Sequence, residues 1–147
     1  MSNKRDNTKA INAFRGELKS MVKDIKEIDQ NVLNKAVNVG LRYAKKHTPV
    51  GKSSPGHTGG FMRKSWSATP LVKSKRGFLR KGGCTKELVN TADYARYVND
   101  GHRIVRNGVT LGFVKGQHIL EKSIRSVENA MVREFRKEIE RVARKHD

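Results

Sequence analysis

Cysteine, acidic residues and aromatics are all scarce in this chain of 147 residues. A single cysteine, Cys84, leaves no intramolecular disulfide framework and no thiolate zinc cluster, and it suits a reducing compartment. Apolar residues run together for two or three positions at most, which is too short to span a bilayer. The opening Met1-Ser2-Asn3-Lys4-Arg5-Asp6-Asn7 has no apolar stretch behind its charges and does not read as a secretory signal. Aromatics make up 6% of the chain, so an array of rings for stacking single-stranded bases is missing. Acids number 14 against 32 Lys and Arg, a net charge of +18.

Acids are absent altogether from Gln30 to Lys86. Thirteen cations fall in that stretch, among them Arg63, Lys73, Lys75, Arg76, Arg80 and Lys81, and they carry most of the excess. A field of this kind suits phosphate, where Lys and Arg replace condensed counterions, and it suits an acidic protein surface equally. A basic nucleic-acid-binding protein with non-specific phosphate contacts is therefore one reading.

Length and pattern predict a single domain over 1–147, with a flexible N-terminus at 1–7. Ile11, Leu18, Ile25, Val32 and Val39 recur every seven residues, with Phe14, Met21 and Ile28 between them, which predicts a core-facing helix over 8–47. Asp6, Asn7 or Thr8 is placed to cap its start, and Asp29-Gln30-Asn31 to break it in two. Thr48-Pro49 ends it, and 48–60, with two prolines and four glycines, reads as a mobile loop. Strands are expected over 61–72 and 84–90. Asn107-Gly108 predicts a type I′ hairpin that pairs Arg106 with Val109 and Ile104 with Leu111. Leu120, Ile124, Val127, Met131, Phe135, Ile139 and Val142 form the stripe of a helix over 117–145. The fold class is α+β: a small, mainly antiparallel sheet packed by long N-terminal and C-terminal helices.

Catalytic constellations are missing from this pattern. None of His47, His57, His102, His118 and His146 stands at metal-ligand spacing from another donor, so neither metal nor cofactor is expected. His102 reads as a turn histidine, and Cys84 as a strand or core cysteine whose basic neighbourhood favours a lowered pKa. Gly51-Lys52-Ser53 lacks the upstream glycine and strand of a phosphate loop.

Two segments, in order, carry a family resemblance. The first is Ala44-Lys45-Lys46-His47-Thr48-Pro49 followed by Thr58-Gly59-Gly60-Phe61-Met62-Arg63-Lys64-Ser65-Trp66. The second is Asn90-Thr91-Ala92-Asp93-Tyr94-Ala95-Arg96-Tyr97-Val98-Asn99-Asp100-Gly101-His102-Arg103, with Gly112-Phe113-Val114-Lys115-Gly116 and a terminal helix after it. Together they resemble the small neck proteins of long-tailed bacteriophages, the tail-completion or head–tail joining family. Gly60-Phe61-Met62, Asn99-Asp100 and the insertion at 52–56 depart from its usual pattern. The resemblance implies a non-enzymatic virion protein, made in the host cytoplasm, that forms a ring completing the tail and joining it to the DNA-filled head. It implies a homo-oligomer, a hexamer or higher, with connector, tail-terminator and tail-tube proteins and packaged DNA as neighbours. Thr58 and Gly59 would turn the chain, Arg63 and Trp66 would anchor it against the Tyr94/Tyr97 segment, and His102 and Arg103 are further interaction candidates. Neutralising Lys73, Lys75, Arg76, Arg80 and Lys81 together is expected to impair assembly while the thermal midpoint stays unchanged. Calorimetry beside an assembly assay checks this, and equal losses in both would contradict it.

Overall fold

The computed structural model describes residues 2–52, 55–56, 59–73 and 83–146. Its elements run α1 (Ser2–His47), α2 (Phe61–Lys64), β1 (Trp66–Ala68), β2 (Val72–Lys73), β3 (Cys84–Thr85), β4 (Leu88–Asn90), α3 (Ala95–Asp100), β5 (Gly101–Arg106), β6 (Val109–Lys115) and α4 (Ile119–His146). This is the α+β arrangement that the sequence predicts, two long helices with short antiparallel strands between them.

Helix α1 has 46 residues and a length of about 69 Å at 1.5 Å per residue. It begins before Asp6, Asn7 and Thr8, which therefore lie within it rather than capping it. It also runs unbroken through Asp29-Gln30-Asn31. The reason is tertiary: Ile28 and Val32 are buried on either side, and Asn31 donates from Nδ2 to Glu138 Oε2 at 3.3 Å instead of competing for its own backbone.

Helix α4 packs antiparallel on the second half of α1. Ala36, Val37, Val127 and Ala130 form the buried contact. Gly40 lies at the closest approach, where a Cβ would overlap Val127 Cγ2 and stand 3.1 Å from the Ser123 carbonyl. Further along, the contact turns polar. Lys35 Nζ donates to Glu138 Oε1 at 2.6 Å, Arg141 bridges Glu138 Oε2 at 2.8 Å and Glu27 Oε1 at 3.0 Å, and Lys145 reaches Asp24 Oδ1 at 3.5 Å. Because Asp24 already faces Lys145 near the end of α4, residues 2–23 of α1 extend past it by about 33 Å.

The expected strand over 61–72 is a helical turn followed by two short strands. Gly60 at φ 85° directs the chain into α2, and the strand starts only at Trp66. The expected strand over 84–90 is likewise split into β3 and β4. β1 pairs with β4 (Trp66 opposite Asn90) and β2 with β3 (Val72 opposite Thr85), both antiparallel. They are successive stretches of one ribbon, interrupted near Pro70, which has no N–H for a ladder. Ala44, Met62, Trp66, Ala92 and Ile119 form a second buried cluster where this ribbon meets the end of α1 and the start of α4.

The Asn-Gly hairpin forms with positive φ at both turn residues, 50° at Asn107 and 78° at Gly108. Arg106 pairs with Val109 as expected, but a bulge shifts the register so that Ile104 faces Gly112, not Leu111.

Glu138 is 3% exposed and sits among Lys35, Arg141 and Asn31. The hydrogen bond from Lys35 above all holds its carboxyl down at about 2, against the opposing effect of burial. A folded-state value below the unfolded one stabilises fully above the unfolded value of 4.5 and is lost as pH falls through about 2. Glu138→Gln is expected to reduce unfolding free energy at neutral pH by about 1–3 kcal/mol, the usual worth of a charged hydrogen bond. The difference from the parent should shrink in acid, which urea titrations at neutral and acid pH measure.

Candidate interaction site

The segment after α1 is tied down by one threonine. Thr48 is buried; its Oγ1 donates to the Ala44 carbonyl at 2.6 Å and accepts from Trp66 Nε1 at 2.7 Å. Its own carbonyl accepts from Arg63 Nη2 at 3.2 Å. The last turn of α1, the α2 turn and β1 are thereby locked at one point. Asn90 adds a second clasp, donating from Nδ2 to the Met62 carbonyl at 2.9 Å and accepting from Ala92 N at 2.9 Å.

The sequence-predicted site residues separate into distinct places. Gly59 lies in the turn before α2, while Arg63 and Trp66 gather at the end of α1 and bond Thr48 rather than the Tyr94/Tyr97 segment. Trp66 is 4% exposed, so it belongs to the core and not to a contact surface. Tyr94 does approach this junction: its hydroxyl accepts from Met62 N at 3.2 Å, and its ring lies 6.4 Å from that of Phe61. Tyr97 points elsewhere and meets His102 edge-on at 6.0 Å, beside Arg103 at the base of the hairpin. Thr58, Lys75, Arg76, Arg80 and Lys81 lie outside the described residues, as does the Lys73 side chain.

Asn99 is a positioning residue that sequence reasoning passed over. Its Oδ1 accepts from Leu120 N at 2.9 Å and its Nδ2 donates to both Glu121 oxygens at 3.1 Å, so it caps α4 from a different segment. The only sequence signal was the missing Ser, Thr or Asp just before Ile119, where His118 stands at φ 51°.

Cys84 is a strand cysteine as expected, in β3, but its thiol does not follow its basic neighbourhood. Burial first, and the Asp29 charge second, push its thiol up, so the basic neighbourhood does not create a reactive thiolate. Among the described residues no cluster of three His, Cys, Asp or Glu could hold a metal ion, and no helix is long and apolar enough to cross a membrane.

Apolar surface is what the molecule displays instead. The stripe expected to face a core does so only in part. Ile28 and Val32 are buried, whereas Ile11, Phe14, Leu18, Met21 and Ile25 are exposed, Phe14 by 60%. On α4, Val127 is buried, while Ile124, Met131, Phe135 and Ile139 are not, because α1 covers the neighbouring face. The hairpin shows Val105, Val109, Leu111 and Phe113 to solvent. Between α1, α4 and β3 lies an apolar groove of about 510 Å³ lined by Val32, Leu33, Cys84, Met131 and Phe135, among others.

Thr48→Val keeps the shape at the junction but strands the buried Trp66 N–H and frees Arg63 only indirectly. It is expected to cost about 1–3 kcal/mol, the penalty of an unsatisfied buried donor, whereas Arg63→Ala should cost less because that side chain is solvated. Chemical denaturation of both variants measures the contrast.

No curated protein and no solved structure gives a match to the chain. The family model described as "Bacteriophage HK97-gp10, putative tail-component" matches residues 12–101, from the exposed part of α1 through α3 to the first residue of β5. That match takes in Thr48, Trp66 and Asn90, the residues that lock the junction, and on it the chain belongs to the HK97-gp10-like family of bacteriophage tail components.

Proposed function

We propose that this tail component acts without catalysis at the neck of the phage, as a ring-forming subunit that completes the tail and joins it to the filled head. The observation that supports the reading best is the amount of apolar surface left open on a folded chain: the free half of α1, the outer stripe of α4 and both faces of the hairpin. Patches of that extent on a soluble protein mark surfaces that meet other proteins. A two-stranded hairpin standing alone is only marginally stable in water, and β5–β6 gains a reason to persist if a neighbour covers it.

Ring contacts are heterologous, each subunit offering two different surfaces, and three separated patches supply that need. The cations of the acid-free middle would face acidic neighbours or packaged DNA. Arg103, Arg106 and Lys115 on the hairpin extend the same sign to its tip and base, with no acid between Gly101 and Leu120.

Deleting the gene from its parent phage is expected to yield DNA-filled heads and separate tails that do not join. Electron microscopy of the lysate decides it: particles with tails stably attached would overturn the neck reading.

A further inference from the structure

Helix α1 carries an unpartnered ridge, and the α1–α4 pair an unpartnered groove; we propose that the ridge of one copy lies in the groove of the next. This deepens the assembly reading above and rests on it. The ridge is Ile11, Phe14, Leu18, Met21 and Ile25, at alternating spacings of three and four residues, about 21 Å along one helical face. The groove has walls of Val32 and Leu33 from α1 and Met131, Val132 and Phe135 from α4, and Cys84 lies within its lining. It is open to solvent, about 510 Å³ in volume and mainly apolar in lining, so covering it with an apolar ridge removes apolar surface from water.

The ridge that occupies the groove belongs to another copy. Ridge and groove lie on the same unbroken helix, Ser2–His47, so the ridge of a chain cannot fold back onto its own groove. Charge then selects a groove rather than a second ridge. Between Lys9 and Lys23 the ridge helix carries Lys9, Arg15, Lys19 and Lys23 against the single acid Glu17, so two ridges side by side would set like charges together. The groove instead carries both signs, Asp29 and Arg136. Asp29 lines it and makes no ion pair among the described residues. Glu128 stands three and four residues before Met131 and Val132, on the same helical face, and is likewise exposed. Arg136 in the lining supplies a partner for Glu17. Because the two surfaces differ, the contact is heterologous: every added copy presents a fresh ridge and a fresh groove, and the array either closes into a ring or continues.

Cys84 makes the contact testable, since it is the only native thiol and lies in the groove lining. Met21→Cys places a second thiol on the ridge, at an exposed position that does not burden the fold. Treating the purified full-length variant with an oxidant or a short bismaleimide is expected to give a ladder of covalent oligomers on a denaturing gel. Adding Cys84→Ser should remove the ladder, and Ser20→Cys, off the ridge, should not produce one. Adding Phe135→Asp to Met21→Cys should reduce the product about tenfold or more, as the loss of a single good contact does. A dimer that persists in Met21→Cys/Cys84→Ser would show ridge meeting ridge and overturn the proposal. So would a parent protein that sediments as a monomer, or as an oligomer whose Met21→Cys form gives no ladder. The gene-deletion phenotype does not depend on which surfaces pair, so a failed ladder beside tail-less particles sinks this contact and leaves the neck reading standing.

Discussion

Gly40 lies where α1 crosses α4, against Val127 and the Ser123 carbonyl, with no room for a side chain. Ala36 and Ala44, one turn before and one turn after, are fully buried on the same helix, and Ala130 answers from α4. Short side chains let the two backbones come together, and the neighbouring elements depend on that separation. It brings Ile119 into the cluster with Ala44, Met62 and Trp66, and it leaves Thr48, one turn past Ala44, within reach of the Trp66 N–H. The junction, the ribbon of β1 to β4 and the start of α4 thus take their positions from a stripe of small residues. Asn99, capping α4 across the chain, secures the same end of the helix from the hairpin side.

The two halves of the α1–α4 contact are built from different chemistry. Near Gly40 it is apolar and close; from Lys35 back to Asp24 it is flanked by a set of charged bonds among Asp24, Glu27, Lys35, Glu138, Arg141 and Lys145. Several of the few acids are engaged there, by cations of the two helices themselves. The remaining positive charge is left with little to neutralise it inside the fold. A protein with such a surplus repels its own copies at long range, so association needs contacts that combine apolar area with locally matched signs. The open ridge of α1 and the groove beside α4 have both properties.

Periodicity located the two long helices to within a few residues at most ends, because hydrophobic spacing reports helical geometry directly. Asn107-Gly108 located the hairpin for the equally local reason that both residues tolerate positive φ. Several of the failures were non-local. Asp29-Gln30-Asn31 looks like a break until Glu138 is there to accept from Asn31. Phe61-Met62-Arg63-Lys64 reads as part of a strand over 61–72, but Gly60 at positive φ opens a helical turn there whose Met62 fills the core. Leu111 falls out of register because the bulge depends on how β5 and β6 twist together. At the candidate site, the motif residues Arg63, Trp66 and Tyr94 were readable as a group. That Arg63 and Trp66 would share Thr48, and that Tyr97 would leave them for His102, were not.

The sequence by itself determined the class of fold, the helical stripes, the turn, the acid-free middle and the family, since each is written in residue identity and spacing along the chain. Only the tertiary structure decided which parts of those stripes are core and which are surface. A stripe states that a helix has an apolar face; it does not state how far a partner helix extends along it. Here α4, with 28 residues, covers only part of an α1 of 46, and approaches it on the flank that Gly40 opens. The same pattern of Ile, Leu and Phe therefore becomes interior at Ile28 and Val32, and an exposed ridge at Phe14 and Leu18.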